Sequence, residues 1–399
     1  VKGTFIGARP RTQSAEIAVA AQLWVEKALD CGSTGALAQE DVQSHYDTLA
    51  MPLIMEWLRK FRVEPALIGA AMRVQMLPQI VIKCRSAECT ISGRATGGLT
   101  GSRVAGALAR IPIEDTVARV AALASNQGFL AGNTRLTFAT YVDNIFILGE
   151  NAPAAIRLAD HFEKMLASNW QQAIKPSSRE VLVPRGARVG GVNLQRWKQV
   201  DTMRVLGMHI QDNAETNVTW SLTERQCMTL YFRRGYSGLT RLLKPSARMK
   251  IANVIIKPFL LFKLAPSPVS ETRLYQVQKL QRRIFLGCAG LKQEDKESKD
   301  TWWRRRSTSI SAEMEKNLWS ASVCRAHVNF EAHIVRSAAR FEWAGILHEW
   351  SDPSVALKRS LGLRIGRKWP GHVATAWGND VAAKHCSDRV PSETRGRRW

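Results

Sequence analysis

The segment 136–149, Leu-Thr-Phe-Ala-Thr-Tyr-Val-Asp-Asn-Ile-Phe-Ile-Leu-Gly, constrains the fold more than any other part of the chain. Two runs rich in β-branched and aromatic residues flank the dipeptide Asp143-Asn144, a pair that favours a two-residue turn. We therefore predict a tight β-hairpin with Asp143 and Asn144 at its tip. An ordinary turn without function is the alternative, because both residue types tolerate a left-handed backbone.

A second acidic residue, Asp41, follows the short apolar stretch Gly35-Ala36-Leu37-Ala38, which is typical of a strand. Phosphoryl transfer from a nucleoside triphosphate uses divalent ions held by carboxylates. A carboxylate at a hairpin tip and another at the end of a neighbouring strand would form such a site. Taken alone, Asp41 could equally be the N-cap of a helix.

Around these residues the pattern alternates between helices and strands. Helical spacing predicts helices at 13–31, 53–61, 65–76 and 153–170, and a long Ala-rich helix that ends near residue 126 with an interruption at Pro112. Strands are predicted at 79–91, 181–183 and 203–210. After about residue 220 helices dominate, and Arg and Lys are interleaved with Trp, as in Trp302-Trp303-Arg304-Arg305-Arg306.

Charge points to a polyanionic partner. The chain of 399 residues, long enough for two or three domains, has a net charge of +23. Residues 221–399 contain 33 Lys and Arg against 15 Asp and Glu, a charge of +18, while the first 220 residues contain 24 against 19, or +5. We expect nucleic acid as the partner, since each neutralised phosphate releases counterions. A basic surface without a dedicated ligand is the alternative.

Other sequence features exclude several classes of protein. No apolar run is long enough to cross a membrane, so we expect no membrane partner. The seven cysteines are scattered without a C-x-x-C pair, which favours a reducing intracellular compartment and disfavours structural zinc. The start at Val1 suggests a fragment or a processed product.

Four segments in this order resemble catalytic motifs of the reverse transcriptases of non-LTR (LINE-like) retroelements. They are Asp41-Val42-Gln43-Ser44-His45-Tyr46-Asp47, Gly97-Gly98-Leu99-Thr100-Gly101-Ser102, Tyr141-Val142-Asp143-Asn144 and Ile174-Lys175-Pro176-Ser177-Ser178-Arg179. The turn Val205-Leu206-Gly207 resembles the primer grip of that family, and residues 241–285 resemble its helical thumb. Phe5 to Pro10 resembles the end of its fingers segment.

The resemblance implies an α+β fold, with a polymerase palm of antiparallel sheet and packed helices, followed by a mainly helical thumb and C-terminal region. The expected segments are the end of the fingers region at 1–34, a palm at 35–215, a thumb at 216–290, a helical basic region at 291–361 and a poorly ordered basic tail at 362–399. An endonuclease domain upstream in the full-length protein is a further expectation.

The implied function is RNA-directed DNA polymerase activity of a retrotransposon, which transfers a nucleotide from a dNTP to a primer 3′-OH by two-metal chemistry. The implied cofactor is Mg²⁺ or Mn²⁺, the implied partners are an RNA template and a DNA primer, and the implied location is the nucleus.

The resemblance also assigns roles to residues of this chain. Asp41 and Asp143 would be catalytic and would bind metal, with the backbone of Val42 and, weakly, the side chain of Asn144 as further ligands. Nucleotide-binding roles fall on Tyr46, which would exclude a ribose 2′-OH, and on Gly101, Ser102 and Lys175. Contacts with nucleic acid would come from Arg282, Arg283, Arg304, Arg305 and Arg306.

The chain departs from the family pattern at several positions. Asn144 replaces the second Asp of the hairpin and supplies no negative charge, although Glu40 or Asp47 could compensate. Thr100 replaces a usual Gln and Arg103 a usual Pro. Ser178 stands near the position of a motif Lys, so Lys175 or Arg179 would have to substitute.

These departures leave two alternatives open. One is a catalytically weakened or inactive retroelement-derived protein that binds nucleic acid through its basic half. The other is a basic helical scaffold unrelated to polymerases.

Overall fold

The computed structural model describes residues 3–8, 12–85, 87–92, 96–131, 134–187, 196–235, 242–267 and 271–338. The predicted tail at 362–399 lies outside the described residues, as do the end of the predicted basic region after 338 and the predicted fingers residues Arg9 and Pro10. Backbone contacts divide the described chain into two compact units. Unit 1 comprises residues 3–17 and 27–203, and unit 2 comprises 18–26 and 204–338.

The described chain is a mixed α+β structure. Its helices are α1 Ser14–Cys31, α2 Met51–Lys60, α3 Pro65–Met76, α4 Arg103–Ala124, α5 Ala152–Trp170, α6 Asn217–Leu230, α7 Pro245–Leu264, α8 Glu271–Ala289, α9 Lys299–Lys316 and α10 Trp319–Ala338. Its strands are β1 Phe5–Ile6, β2 Ala36–Asp41, β3 Ile80–Cys84, β4 Ala87–Ile91, β5 Phe129–Ala131, β6 Thr134–Leu136, β7 Phe138–Tyr141, β8 Asn144–Gly149, β9 Glu180–Leu182, β10 Lys198–Val200, β11 Thr202–Val205 and β12 Met208–Gln211.

The main sheet of unit 1 has six strands in the order β1-β7-β8-β2-β9-β10. The four central strands pair antiparallel, whereas β1 pairs parallel with β7 and β10 pairs parallel with β9. The sequence predicts an antiparallel sheet. The structure has antiparallel pairing at the centre and one parallel pair at each edge. Three further pairs, β3–β4, β5–β6 and β11–β12, are two-stranded.

Each unit has its own apolar core. In unit 1, helices α4 and α5 pack on the sheet through residues such as Val117, Phe162 and Leu166, which meet Phe138 and Ile147 of the hairpin. In unit 2, α7, α8 and α10 enclose a core that contains Ile256, Phe285 and Trp319. No described helix is long and apolar enough to span a membrane.

Two prolines lie inside helices. The interruption predicted at Pro112 is wrong, because α4 runs through this residue without a break. The hydroxyl of Thr116 donates a hydrogen bond of 2.7 Å to the Pro112 carbonyl, which keeps that acceptor paired inside the helix. Pro258 similarly lies within α7. The helical packing on both sides outweighs the hydrogen bond that each proline removes.

Strand β2 lies in the middle of the sheet and sends alternate side chains to opposite faces. Ala36 and Ala38 belong to the core under the helices, and Glu40 on the same face lies beside Glu163 of α5. Glu40 is completely buried. Burial, followed by the neighbouring Glu163 carboxylate, raises the pKa of Glu40 well above its usual range, and Arg179 opposes this rise.

Glu163 has several cationic partners. The Arg179 guanidinium binds it with two hydrogen bonds of 2.6 and 2.8 Å, and Arg196 donates a third at 2.6 Å. Glu163 therefore has the guanidinium partners at this position, while burial favours the neutral form of Glu40 and raises its pKa.

We predict that Glu40→Gln raises the free energy of unfolding at pH 8, because burial raises the pKa of Glu40 and the amide has no charged form for burial to penalise. Because the pKa of Glu40 is higher in the folded chain, the stability it provides is complete below its unfolded pKa of about 4.3 and is lost as pH rises from there toward the folded value. Urea unfolding at pH 5 and pH 8 measures this difference. The variant should lose less stability between the two pH values than the parent, and Glu56→Gln, at an exposed site on α2, should behave like the parent. An equal loss in all three proteins would contradict the prediction.

Candidate active site

The strand register brings the two predicted catalytic aspartates together. Asp41, the last residue of β2, pairs across the sheet with Asn144, the first residue of β8. The Val42 N–H donates a 3.2 Å hydrogen bond to the carbonyl of Asp143. Since side chains alternate along β2, Asp41 points to the face opposite Glu40. The end of β2 therefore abuts the tip of the β7–β8 hairpin.

The tip itself differs from the prediction by one residue. Tyr141 and Asn144 pair across the hairpin, so the two turn residues are Val142 and Asp143, and Asn144 belongs to the strand. Val142 has a φ of 61°, a left-handed conformation that is unfavourable for a β-branched residue. The prediction of an Asp143-Asn144 turn was wrong because it used the tolerance of Asp and Asn for a left-handed backbone, whereas Val142 adopts that conformation here.

The short 3₁₀ turn Pro176–Ser178 closes the other side of Asp41. The Ser178 hydroxyl accepts a 2.9 Å hydrogen bond from the Asp41 N–H and donates one of 2.7 Å to the Lys175 carbonyl. The Lys175 N–H in turn donates to the Asp41 carbonyl at 2.9 Å. Ser178 thus fixes the backbone. Lys175 is the cation near Asp41, because Arg179 is bound to Glu163.

The Asp41 carboxyl has the electrostatics of a cation ligand. Burial, together with the nearby negative charge of Asp143, raises the pKa of Asp41, and Lys175 partly offsets this rise. Its Oδ1 atom is buried without a hydrogen-bond partner. An ionised carboxylate oxygen that is both desolvated and unpaired is costly unless a cation binds it. Asp41 and Asp143 therefore supply two carboxylate donors of the type that a divalent ion prefers.

Few acidic side chains surround Asp41 and Asp143 in the described part of the chain. Asn144 Nδ2 donates a 3.1 Å hydrogen bond to Asp143 Oδ1, so the amide acts on Asp143 as a partial positive charge. Within the described residues no group of three His, Cys, Asp or Glu side chains could hold a metal ion. The idea that Glu40 compensates for Asn144 is wrong, because Glu40 lies on the other face of β2 with Glu163.

The segment 97–102, called the glycine turn below, contacts the segment 41–47, called the first motif. Gly98 N–H donates to the Tyr46 carbonyl at 2.7 Å, and Gly97 N–H donates to the Leu49 carbonyl at 2.9 Å. Gly97 and Gly101 have φ values of 86° and 91°, which side chains disfavour. A Cβ at Gly106 in α4 would lie 3.9 Å from the Tyr46 hydroxyl, so the small residue leaves room beside the phenol ring.

Gln75 holds the glycine turn and was not anticipated from the sequence. Its fully buried amide accepts a 2.8 Å hydrogen bond from the Leu99 N–H and donates one of 3.3 Å to the Ser102 hydroxyl. Gln75 follows Ile68 and Met72 on the buried stripe of α3. A polar residue at a position of that stripe is the sequence signal that could have revealed it.

A second unanticipated network lies below Asp143. Buried His45 meets the Ala109 carbonyl through Nε2 at 2.9 Å and Gln172 through Nδ1 at 3.2 Å. Burial lowers the pKa of His45 and outweighs the opposing effects of its hydrogen bond to Ala109 and of the Asp143 carboxylate. His45 is therefore a neutral structural residue that ties the first motif to α4.

In unit 2, the turn Leu206-Gly207 joins β11 to β12, so the predicted single strand at 203–210 is a hairpin. Both turn residues have positive φ, at 47° and 94°. Lys263 of α7 donates a hydrogen bond to the Gly207 carbonyl. Burial, with the nearby charge of Arg204, lowers the pKa of Lys263.

The arginines predicted to contact nucleic acid have different surroundings in unit 2. Arg283 and Arg304 are exposed, and exposed Arg282 donates to the Ser307 hydroxyl at 2.8 Å. Arg305 pairs with Glu297 through hydrogen bonds of 2.9 and 2.7 Å, and Arg306 stacks on Trp302 and Trp303 at 5.0 and 5.3 Å from the ring centres. Contact of these residues with nucleic acid stays a prediction.

No protein-family model matches the chain, and no curated protein matches it. Among solved structures, the chain is similar to telomerase from Candida albicans with a TWJ fragment of telomeric RNA, at 10% identity and a TM-score of 0.35 over 88% of this chain and 55% of that chain. It is also similar to apo telomerase from Candida tropicalis, at 8% identity and a TM-score of 0.41 over 91% of this chain and 56% of that chain. The chain thus spans about half the length of these proteins. Such low similarity does not assign a family.

The backbone at Val142 gives a direct test of the hairpin tip. We predict that Val142→Gly is more stable than Val142→Ala by about 1 kcal/mol, because glycine adopts a positive φ without the cost that a Cβ brings. The order would be reversed at an ordinary φ, where alanine is favoured over glycine by roughly 0.5–1 kcal/mol. Thermal unfolding of the two variants measures the order, and a more stable Val142→Ala would contradict the left-handed turn.

Proposed function

We propose that this chain is the palm and thumb portion of an RNA-directed DNA polymerase of the non-LTR retroelement type. The observation that supports it best is the meeting of Asp41 and Asp143 at the end of β2, where Asp41 Oδ1 is buried and unpaired. The glycine turn and Lys175 adjoin the same motif, as the resemblance requires. The nucleus is the proposed location, by the same resemblance.

In this proposal Asp41 and Asp143 hold Mg²⁺, assisted by the Val42 carbonyl and the Asn144 side chain. The bound ion would stabilise the negative charge that develops on the transferred phosphoryl group. Lys175, the cation nearest Asp41, binds the triphosphate of the incoming dNTP. Tyr46 lies beside Gly106 and blocks the space that a ribose 2′-OH would need.

The other predicted contacts concern the template and primer. Gly101 and Ser102 bring the backbone close to the base pair that forms, because a turn without a Cβ at Gly101 leaves that surface open. In unit 2, Arg282, Arg283 and Arg304 bind the nucleic-acid backbone, while Arg305 and Arg306 also anchor Glu297 and the tryptophan pair.

Primer extension tests the proposal. With an RNA template, a DNA primer, dNTPs and Mg²⁺ or Mn²⁺, the purified chain should extend the primer, and Asp143→Ala should lower the rate by about 100-fold or more. Asp201→Ala is the matched control, since Asp201 is an exposed aspartate of unit 1 outside the catalytic motifs. Absence of extension by the parent with either ion, or an equal rate in Asp143→Ala, would overturn the proposal.

The second candidate is a nucleic-acid-binding protein without catalysis. The hydrogen bond from Asn144 to Asp143 favours it, because the amide takes the place of a third acidic side chain and occupies one oxygen of a needed ligand. In that case, binding of RNA or DNA would persist unchanged in Asp41→Ala and Asp143→Ala.

The variant Asn144→Asp distinguishes the two candidate functions. We predict that this variant binds Mg²⁺ more tightly and extends primers faster, because a third negative charge joins Asp41 and Asp143. Without Mg²⁺ the same charge repels its neighbours, so the variant should unfold at a lower temperature than the parent. Thermal unfolding with EDTA and with 10 mM Mg²⁺ as the chosen concentration, followed by primer extension, measures both effects. Matched Asn126→Asp, at an exposed position after α4, should change neither. A Mg²⁺-independent melting temperature in Asn144→Asp would contradict the metal site.

A further inference from the structure

Unit 1 contains a cleft between α2, α4 and the end of α5, which we call the Trp57 cleft. Its volume is about 720 Å³, large enough for one or two nucleotides. The lining residues include Leu53, Trp57, Lys60, Asp115, Arg119 and Trp170. The cleft lies among the helices packed on the Glu40 face of β2, and Asp41 points to the other face.

Asp115 fixes the aromatic walls of this cleft. Its carboxylate accepts hydrogen bonds from the indole N–H groups of Trp57 at 3.1 Å and Trp170 at 3.3 Å, and Arg119 binds it at 2.9 Å. Because the charge of Asp115 is matched by Arg119, this acid does not repel an anion. Both indole rings are therefore held in place before any ligand binds.

An aromatic surface continues out of the cleft along α2. Phe61 lies on the Trp57 ring with 4.1 Å between centroids and a tilt of 30°, and it is 59% exposed. The phenyl ring covers one face of the half-buried indole, so the outer face of Phe61 is the exposed aromatic surface, supported from beneath by Trp57. Bases stack on such aromatic platforms irrespective of sequence.

Cationic side chains stand at the rim of the platform. Arg59 and Lys60 are exposed, and no ion pair involving them occurs in the part of the chain that the structure describes. Arg62, next to Phe61, adds a further exposed cation, and Glu56 is the remaining acid of the lining. Aromatic rings bordered by unpaired cations match the bases and phosphates of a nucleic-acid strand.

We propose that the Trp57 cleft binds single-stranded nucleic acid, with a base stacked on the outer face of Phe61, which rests on Trp57, and phosphates on Arg59 and Lys60. This second site is independent of catalysis by Asp41 and Asp143. Ser168 and Asn169 at the opposite rim supply hydroxyl and amide groups to the base edge.

Photocrosslinking tests the site directly. A ten-nucleotide single-stranded oligonucleotide with 5-iodouracil, bound in EDTA so that no metal site contributes, should crosslink to the peptide that contains Trp57 and Phe61. Phe61→Leu should abolish most of that crosslink, whereas Phe61→Tyr should keep it. Crosslinks confined to other segments would overturn the proposal.

Affinity gives a second measurement. Arg59→Gln combined with Lys60→Gln should weaken oligonucleotide binding by about fivefold or more and lower the slope of log Kd against log salt by about 1.4, which is roughly 0.7 for each lost phosphate contact on a single strand. Arg73→Gln combined with Lys164→Gln removes the same charges from exposed helix positions elsewhere in unit 1 and should change the slope less. If both double variants bind alike, the cleft does not bind nucleic acid and a protein partner is the better explanation for its aromatic surface.

Discussion

The register between β2 and β8 is the constraint on which the proposed site depends. Pairing of Asp41 with Asn144 places one aspartate at the end of a central strand and the other in the adjoining turn. A slip by one residue would turn Asp41 toward the helices and send Glu40 to the opposite face. The apolar residues of β2 prevent that slip, since Ala36 and Ala38 must stay in the core. Core packing thus determines where the carboxylates meet.

Strand β2 contains two adjacent acidic residues, Glu40 and Asp41, that lie in different environments. Glu40 is enclosed beside Glu163, where burial favours the neutral acid. Asp41 as a residue is only partly buried, and its buried Oδ1 has no hydrogen-bond partner. Adjacent carboxyls on one strand therefore lie in two different environments, one among the core helices and one beside Asp143, because side chains alternate between faces. Arg179 belongs to the first environment and Lys175 to the second, so Lys175 is the cation whose charge acts on Asp41.

Much of this arrangement could be predicted from the sequence, because periodicity and residue type are local signals. The helices α1, α2, α3 and α5 and the β7–β8 hairpin lie where the sequence places them, within one or two residues. The misses arise from tertiary context. Pro112 stays helical because α4 is packed along its length, and Val142 takes a left-handed conformation that its side chain disfavours. No feature of the local sequence distinguishes Pro112 from a helix-breaking proline or Val142 from a strand residue.

The hydrogen-bond partners of the buried polar residues also could not be predicted from the sequence, and these bonds stabilise the loops around the proposed site. Gln75 bonds the glycine turn, Gln172 bonds the carbonyl of His45 in the first motif, and His45 itself bonds the Ala109 carbonyl of α4. Their partners are distant in sequence, so no local pattern could pair them. Buried amides of this kind are costly unless fully bonded, and they restrict the loops to one geometry. A metal site built on a hairpin tip needs such rigidity, because a carboxylate that moves by an ångström loses its ion. The polar network beneath the loops therefore supports the proposed site as directly as the two aspartates do.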